Sequence, residues 1–95
     1  MSKVIDTAVA ALAARAGKGF DAVAKFAFIG EGAIMFDANG ARAGDEPADV
    51  TLTASTEVFQ ALLAGELSAA QAFMSGKLTV DGPMGLAMKL GQVLS

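Results

Sequence analysis

The chain of 95 residues contains no histidine, cysteine, tryptophan or tyrosine. Histidine and cysteine are the side chains that most often serve as bases, nucleophiles and zinc ligands, so the commonest catalytic and metal sites cannot be assembled here. A disulfide framework is excluded for the same reason. We therefore expect a protein that is not an enzyme and that uses no cofactor or metal.

Positive charge is sparse and scattered along the chain, whose net charge is −3. The seven lysines and arginines stand singly at positions 3, 15, 18, 25, 42, 77 and 89. A nucleic-acid interface needs basic residues clustered on one face, so we expect no nucleic-acid partner.

The chain also lacks a long hydrophobic run, because no uninterrupted apolar stretch approaches the roughly 20 residues that span a bilayer. The apolar stretch near the N-terminus, Val4–Ala16, is broken by Asp6 and Arg15. Apolar residues recur in it at helical spacing, which predicts an amphipathic helix rather than a cleaved leader. Since the length suits one hydrophobic core, we expect residues 1–95 to form one soluble domain.

The first half of the chain predicts one helix followed by strands. A helix from about Lys3 to Ala16 ends at Gly17, because glycine commonly follows the last helical residue. A two-residue period then predicts three or four strands, at Asp21–Ile29, Ala33–Asp37, optionally Ala41–Gly44, and Asp49–Thr53. Glycine-rich turns between them, including Asn39-Gly40, favour an antiparallel meander.

The second half predicts helices and one last strand. Ser55 or Thr56 caps a helix, and Ser68 opens another with the S-x-x-Q form of a capping box. Lys77–Asp81 is predicted to be a strand, and Pro83 suits the first turn of a final helix. Strands grouped before helices indicate an α+β fold in which helices cover one face of a sheet.

Two short motifs suggest a ligand site, and their context argues against it. Gly17–Ala22 matches the dinucleotide pattern G-x-G-x-x-A, but that pattern follows a strand and opens a helix, whereas here a helix precedes it. Asp37, Asn39 and Asp45 surround a glycine turn, yet the glycine and glutamate that a calcium loop requires are missing. We interpret both motifs as turns.

Methionine and phenylalanine are concentrated in the last quarter of the chain, at Phe73, Met74, Met84 and Met88. Methionine supplies adaptable apolar surface, which suits irregular gaps in a core or ligands of variable shape. The pattern alone leaves core packing and a ligand pocket both open.

The segment Ala48–Leu94 resembles the sterol carrier protein type 2 domain family. The signature is Ala72–Leu78, AFMSGKL, followed by the helix MGLAMKL that begins at Met84. The preceding hairpin is similar in order and spacing, so the resemblance covers essentially the whole chain. It implies a largely antiparallel five-stranded sheet with helices packed on one face, enclosing an apolar tunnel.

The resemblance also implies a ligand and its site. Proteins of this family hold sterols, fatty acids, fatty acyl-CoA or phospholipids with low selectivity, and no catalytic residues come with the resemblance. By position, the implied tunnel lining is Phe26, Ile34, Phe36, Leu52, Phe73, Met74, Met84, Leu86 and Met88. A polar headgroup would lie at the tunnel mouth, where Lys77 or Lys89 attracts a carboxylate or phosphate.

The resemblance leads to two candidate functions. The first is non-catalytic binding and carriage of an apolar lipid, with which transient membrane contact is compatible. The alternative is an accessory module that binds a protein partner, or enzymes of an isoprenoid-quinone pathway, through the same apolar groove. The C-terminal residues 93–95 lack the peroxisomal tripeptide of eukaryotic relatives, so we expect a bacterial cytoplasmic protein.

Overall fold

The computed structural model describes residues 3–15 and 19–94. The predicted helix end at Gly17 and the start of the G-x-G motif lie outside these residues. In chain order the elements are α1 Lys3–Arg15, β1 Ala24–Phe28, β2 Gly32–Asp37, β3 Gly40–Ala43, β4 Val50–Ala54, α2 Thr56–Leu63, α3 Ala69–Met74, β5 Thr79–Asp81 and α4 Met84–Leu94. The order of helices and strands follows the prediction, with the optional strand present as β3.

The predicted helix caps are confirmed in α2 and α3. The Ser55 hydroxyl accepts a hydrogen bond from the Val58 amide at 3.3 Å, and the Ser68 hydroxyl accepts one from Gln71 at 3.1 Å. These bonds satisfy amides that have no partner inside the first helical turn. None of the helices in the described ranges has the length and apolar character that crossing a bilayer requires.

The strands form one sheet in the order β3-β2-β1-β4-β5. The predicted antiparallel meander is correct for β1, β2 and β3, and it is wrong for β4. Instead of continuing the meander, β4 pairs with β1 in the parallel direction, while β5 pairs with β4 antiparallel. The sheet is therefore mostly antiparallel with one parallel pair.

The parallel pair arises because residues 44–49 cross the sheet on the face away from the helices. There the register places Lys25 beside Met35. Asp45 pairs with Lys25 at 2.8 Å, and the Glu46 amide lies 3.5 Å from the Met35 sulfur. The crossing segment thus covers Met35, which is fully buried although it lies outside the main core.

The other face of the sheet carries a continuous apolar row. The register aligns Val80, Leu52, Phe26, Ile34 and Ala43 across the five strands. The three middle residues are buried, and the two on the edge strands are half-buried. Helices α1, α2 and α4 cover this face, so the predicted packing of helices on one side is confirmed.

Gly82, between β5 and α4, lies in close contact with the start of β4. Its φ is 128°, and an added Cβ would lie 2.6 Å from the Asp49 carbonyl oxygen. Gly40 also has positive φ, at 99°, but nothing lies within 4 Å of its Cβ position. We expect Gly40→Ala to cost about 1–3 kcal/mol through backbone strain, and Gly82→Ala to cost more.

Urea unfolding followed by far-ultraviolet circular dichroism measures both variants, since the chain has no tryptophan. Equal losses of unfolding free energy in the two variants would show that the close approach at Gly82 adds no cost beyond the strain of its positive φ.

Candidate functional site

An apolar groove of about 460 Å³ lies beside the β5 edge of the sheet. This volume is within the roughly 300–1,000 Å³ typical of ligand pockets. The lining residues come from β4, from β5 and the residue before it, and from the two last helices and the cap of α3: Leu52, Ser68, Ala69, Ala70, Phe73, Met74, Leu78, Val80, Met84, Ala87, Met88, Gly91 and Gln92.

Strand pairing and helical spacing bring these residues together. Leu52 and Val80 form the end of the apolar row nearest the β5 edge. On α4, Met84 and Met88 are four residues apart, as are Ala87 and Gly91, so each pair lies one turn apart on the helix. The groove therefore has the sheet as one wall and the α3–α4 pair as the other.

The rim of the groove exposes large apolar side chains. The exposed fractions are 41% for Phe73, 84% for Met74, 50% for Met84 and 66% for Met88. Single exposed apolar residues are ordinary, but four grouped around one groove form a patch of the kind that marks a binding surface. These side chains leave the space open to solvent, and the enclosed tunnel stays a prediction.

The structure divides the predicted lining residues into two groups. Leu52, Phe73, Met74, Met84 and Met88 line the groove. Phe26, Ile34 and Phe36 are buried in the core and do not line it. The reason is their place in the sheet, because β1 and β2 lie in its middle, whereas the groove lies at the β5 edge.

Helical spacing separates the remaining predicted residue from the groove. Leu86 is half-buried and packs against the core, and Leu90, one turn later, is fully buried in the core. The prediction also omitted groove residues that the sequence could have indicated. Val80 alternates with exposed residues along β5, and Ala87 lies between Met84 and Gly91 in helical spacing.

The two lysines predicted to contact a headgroup differ in their surroundings, and neither lines the groove. Lys89 donates a hydrogen bond to the Asp21 carboxylate. Lys77 is exposed, and among the described residues no carboxylate forms an ion pair with it. It stands in the chain between Met74 and Leu78, which both line the groove.

The acidic residues of the hairpin are held in ordinary turn interactions. Asp37 accepts hydrogen bonds from the Asn39 amide and from Arg42, both at 2.9 Å. The bond from Arg42, with a smaller contribution from Asn39, lowers the pKa of Asp37. Within residues 3–15 and 19–94, no cluster of acidic side chains is placed to hold a metal ion.

A comparison with protein families and curated proteins gives a consistent result. The profile of the SCP-2 sterol transfer family matches residues 7–95. Hydroxysteroid dehydrogenase-like protein 2 of Danio rerio is 44% identical over 61 residues, which are 62% of this chain and 15% of that protein. Sterol carrier protein 2 of Homo sapiens is 48% identical over 46 residues, which are 48% of this chain and 8% of that protein.

Solved structures share the fold over nearly the whole chain. Sterol Carrier Protein-2 from Aedes aegypti, in complex with the C16 fatty acid palmitate, aligns with a TM-score of 0.78 and 25% identity, covering 100% of this chain and 97% of that one. Sterol Carrier Protein 2 from Yarrowia lipolytica, in its apo form, aligns with a TM-score of 0.69 and 26% identity, covering 96% and 84%.

The contact between Lys89 and Asp21 predicts how the stability of the protein depends on pH. The pKa of Asp21 lies below its ordinary value of 3.8, chiefly because Lys89 donates a hydrogen bond to it. A carboxylate whose pKa is lowered in the folded state stabilises that state above its unfolded pKa, and the effect disappears as pH falls through the folded pKa. We expect Asp21→Asn to lower the urea midpoint at neutral pH, and the difference from the parent to shrink as pH falls below 3.8.

Asp81→Asn is the matched control, since it removes the same charge from an exposed residue that forms no ion pair within the described part of the chain. Its urea midpoint should change less at neutral pH. Identical pH profiles for the two variants would contradict the role of the Lys89–Asp21 contact.

Proposed function

Since this chain belongs to the SCP-2 sterol transfer family, we propose that it binds a single apolar lipid in the groove between β5, α3 and α4 and carries it chemically unchanged. The observation that carries the proposal is the groove itself, with its exposed rim of Phe73, Met74, Met84 and Met88.

The chemistry of the groove suits binding by burial. Among the residues that the structure describes, its lining contains no aspartate, glutamate, lysine or arginine, and Ser68 and Gln92 are its only polar side chains. Covering apolar surface contributes about 25 cal/mol per Å², so an aliphatic ligand gains affinity from both its own surface and that of the rim. No nucleophile, base and acid converge in this described lining, which supports binding without catalysis.

Fatty acids are the ligand class that we propose. The Aedes aegypti protein with a matching fold is in complex with palmitate, and a flexible chain can adapt to methionine side chains in several rotamers. The dehydrogenase-like relatives are much longer than this chain, and we propose no dehydrogenase activity for it.

Lys77 is the better candidate for a headgroup contact. Lys89 already donates a hydrogen bond to Asp21, and a ligand carboxylate would have to compete with that contact. Lys77 is exposed, follows the rim residues of α3 in the chain, and forms no such pair within the described residues. We propose that its ammonium group attracts the carboxylate of a bound fatty acid.

The alternative function, an accessory module for a protein partner, uses the same exposed rim. A partner helix could cover Met74 and Met88 by the same burial of apolar surface. Saturable binding of one fatty acid per chain supports the lipid function, whereas a stoichiometric protein complex without lipid binding supports the alternative.

Met88 provides a test of the groove. We expect Met88→Ser to weaken palmitate binding by about five- to thirtyfold, which corresponds to roughly 1–2 kcal/mol of lost apolar contact. Ile29→Ser is the matched control, because Ile29 is also 66% exposed but lies outside the groove. Isothermal titration with palmitate measures both. An equal loss in the two variants would rule out this groove as the binding site.

Lys77 provides a separate test of the headgroup. An exposed ion pair contributes at most about 1 kcal/mol, so Lys77→Gln should weaken palmitate binding by about two- to fivefold at low salt and by less at high salt. Lys25→Gln removes the same charge on the opposite face of the sheet and should leave affinity unchanged. Equal affinities of Lys77→Gln and the parent at low salt would exclude the contact.

A further inference from the structure

Three methionines lie around the groove with their side chains exposed to solvent. Met74 of α3 is 84% exposed, and Met84 and Met88 of α4 are 50% and 66% exposed. We call these three residues the rim methionines. Met35 differs from them, because it is fully buried beneath the crossing segment and its sulfur accepts a hydrogen bond from the Glu46 amide at 3.5 Å. The described part of the chain thus has three accessible thioethers at one site and one that solvent does not reach.

Methionine is the only side chain in these 95 residues that hydrogen peroxide readily oxidises. Cysteine, tryptophan, tyrosine and histidine, which would compete for the oxidant, are all missing. In the reaction a lone pair of the sulfur attacks one peroxide oxygen, an S–O bond forms, the O–O bond breaks, and the second oxygen leaves as water. The thioether is oxidised to a sulfoxide, and the peroxide is reduced. Because this reaction needs access to the sulfur, the rim methionines react before Met35.

A sulfoxide changes the surface that the rim presents to a ligand. The thioether is apolar and flexible, whereas the sulfoxide is polar and its oxygen accepts hydrogen bonds. In the described lining of the groove, Ser68 and Gln92 are the only polar side chains, so few donors can replace the water that a bound lipid displaces. Burying one polar group without a partner lowers an equilibrium constant by about five- to 150-fold. Oxidation of the rim therefore opposes the binding of an apolar ligand.

We propose that the rim methionines are a reversible oxidation site, at which hydrogen peroxide converts the groove to a state that binds lipid more weakly. This inference rests on the proposed function, because it assigns a regulation to the same groove. In the reverse reaction a methionine sulfoxide reductase removes the oxygen as water while a pair of thiols is oxidised to a disulfide. These 95 residues contain no cysteine, so the thiols come from outside them.

The first measurement is the order in which the methionines are oxidised. The folded protein is treated with hydrogen peroxide, and the sulfoxide fraction at each methionine is followed by tandem mass spectrometry of its peptides. We expect the rim methionines to be oxidised in most molecules while Met35 stays largely unoxidised. Oxidation of Met35 as fast as the rim methionines would overturn the inference.

The second measurement is the affinity for palmitate, determined by isothermal titration before the treatment and after removal of the peroxide. We expect the oxidised protein to bind palmitate about tenfold or more weakly than the untreated protein. Since oxidation produces two sulfoxide epimers, incubation with the reductases for both epimers should restore the affinity.

Leucine variants show which sulfur atoms are responsible. The triple variant Met74→Leu, Met84→Leu, Met88→Leu keeps the apolar volume of the rim, so its affinity should stay within about twofold of the untreated parent with or without peroxide. The matched control Met35→Leu removes a buried sulfur and should lose affinity on oxidation as the parent does. Where Met35→Leu fails to fold, as judged by circular dichroism, Ile29→Leu replaces it, because Ile29 is exposed outside the groove.

The outcomes separate this inference from the proposed function. If the parent binds palmitate and oxidation leaves the affinity unchanged, the inference is overturned while the proposed function stands. The same holds if the triple variant loses as much affinity on oxidation as the parent, or if the reductases restore none of it. If the untreated parent binds no palmitate, the proposed function fails, and the inference fails with it.

Discussion

A chain of phenylalanine contacts joins the sheet to its helices, and the position of the groove depends on it. Phe59 of α2 stacks on Phe28 at 4.3 Å between ring centroids and meets Phe26 edge-on at 5.8 Å. Phe26 continues to Phe36, and Phe36 to Phe20, at 6.2 and 5.9 Å. These contacts place α2 over the centre of the sheet, where the space left among Phe26, Phe28 and Phe59 is only about 10 Å³, too small for a lipid.

The sixth phenylalanine, Phe73, stands apart from this cluster and lies on the groove. Helices α3 and α4 reach the core through Ala72 and Leu90, both fully buried. Their side chains Phe73, Met74, Met84 and Met88 are 41–84% exposed, because they lie on the sides of α3 and α4 that do not pack against the core. The same helices therefore contribute to the core on one side and to an open apolar surface on the other.

Local features of the fold were predictable because neighbouring residues determine them. The hydroxyl caps at Ser55 and Ser68 and the alternation in β1 and β2 involve contacts within a few positions, and the structure confirms them. The partner of β4 was not predictable in this way. The alternation of side chains along β4 would be the same whether β4 paired with β1 or with β3. The choice of partner depends on the crossing segment that covers Met35 on the far face.

The sequence by itself determined the order of the elements, the single apolar face of the sheet and the family to which the chain is similar, since periodicity, caps and the AFMSGKL signature are all local. Only the tertiary structure decided which apolar residues reach a ligand site. Phe26 and Leu52 have the same alternation and comparable burial, yet Leu52 lines the groove and Phe26 does not. The difference lies in what covers each position, and that depends on contacts between residues far apart in the chain.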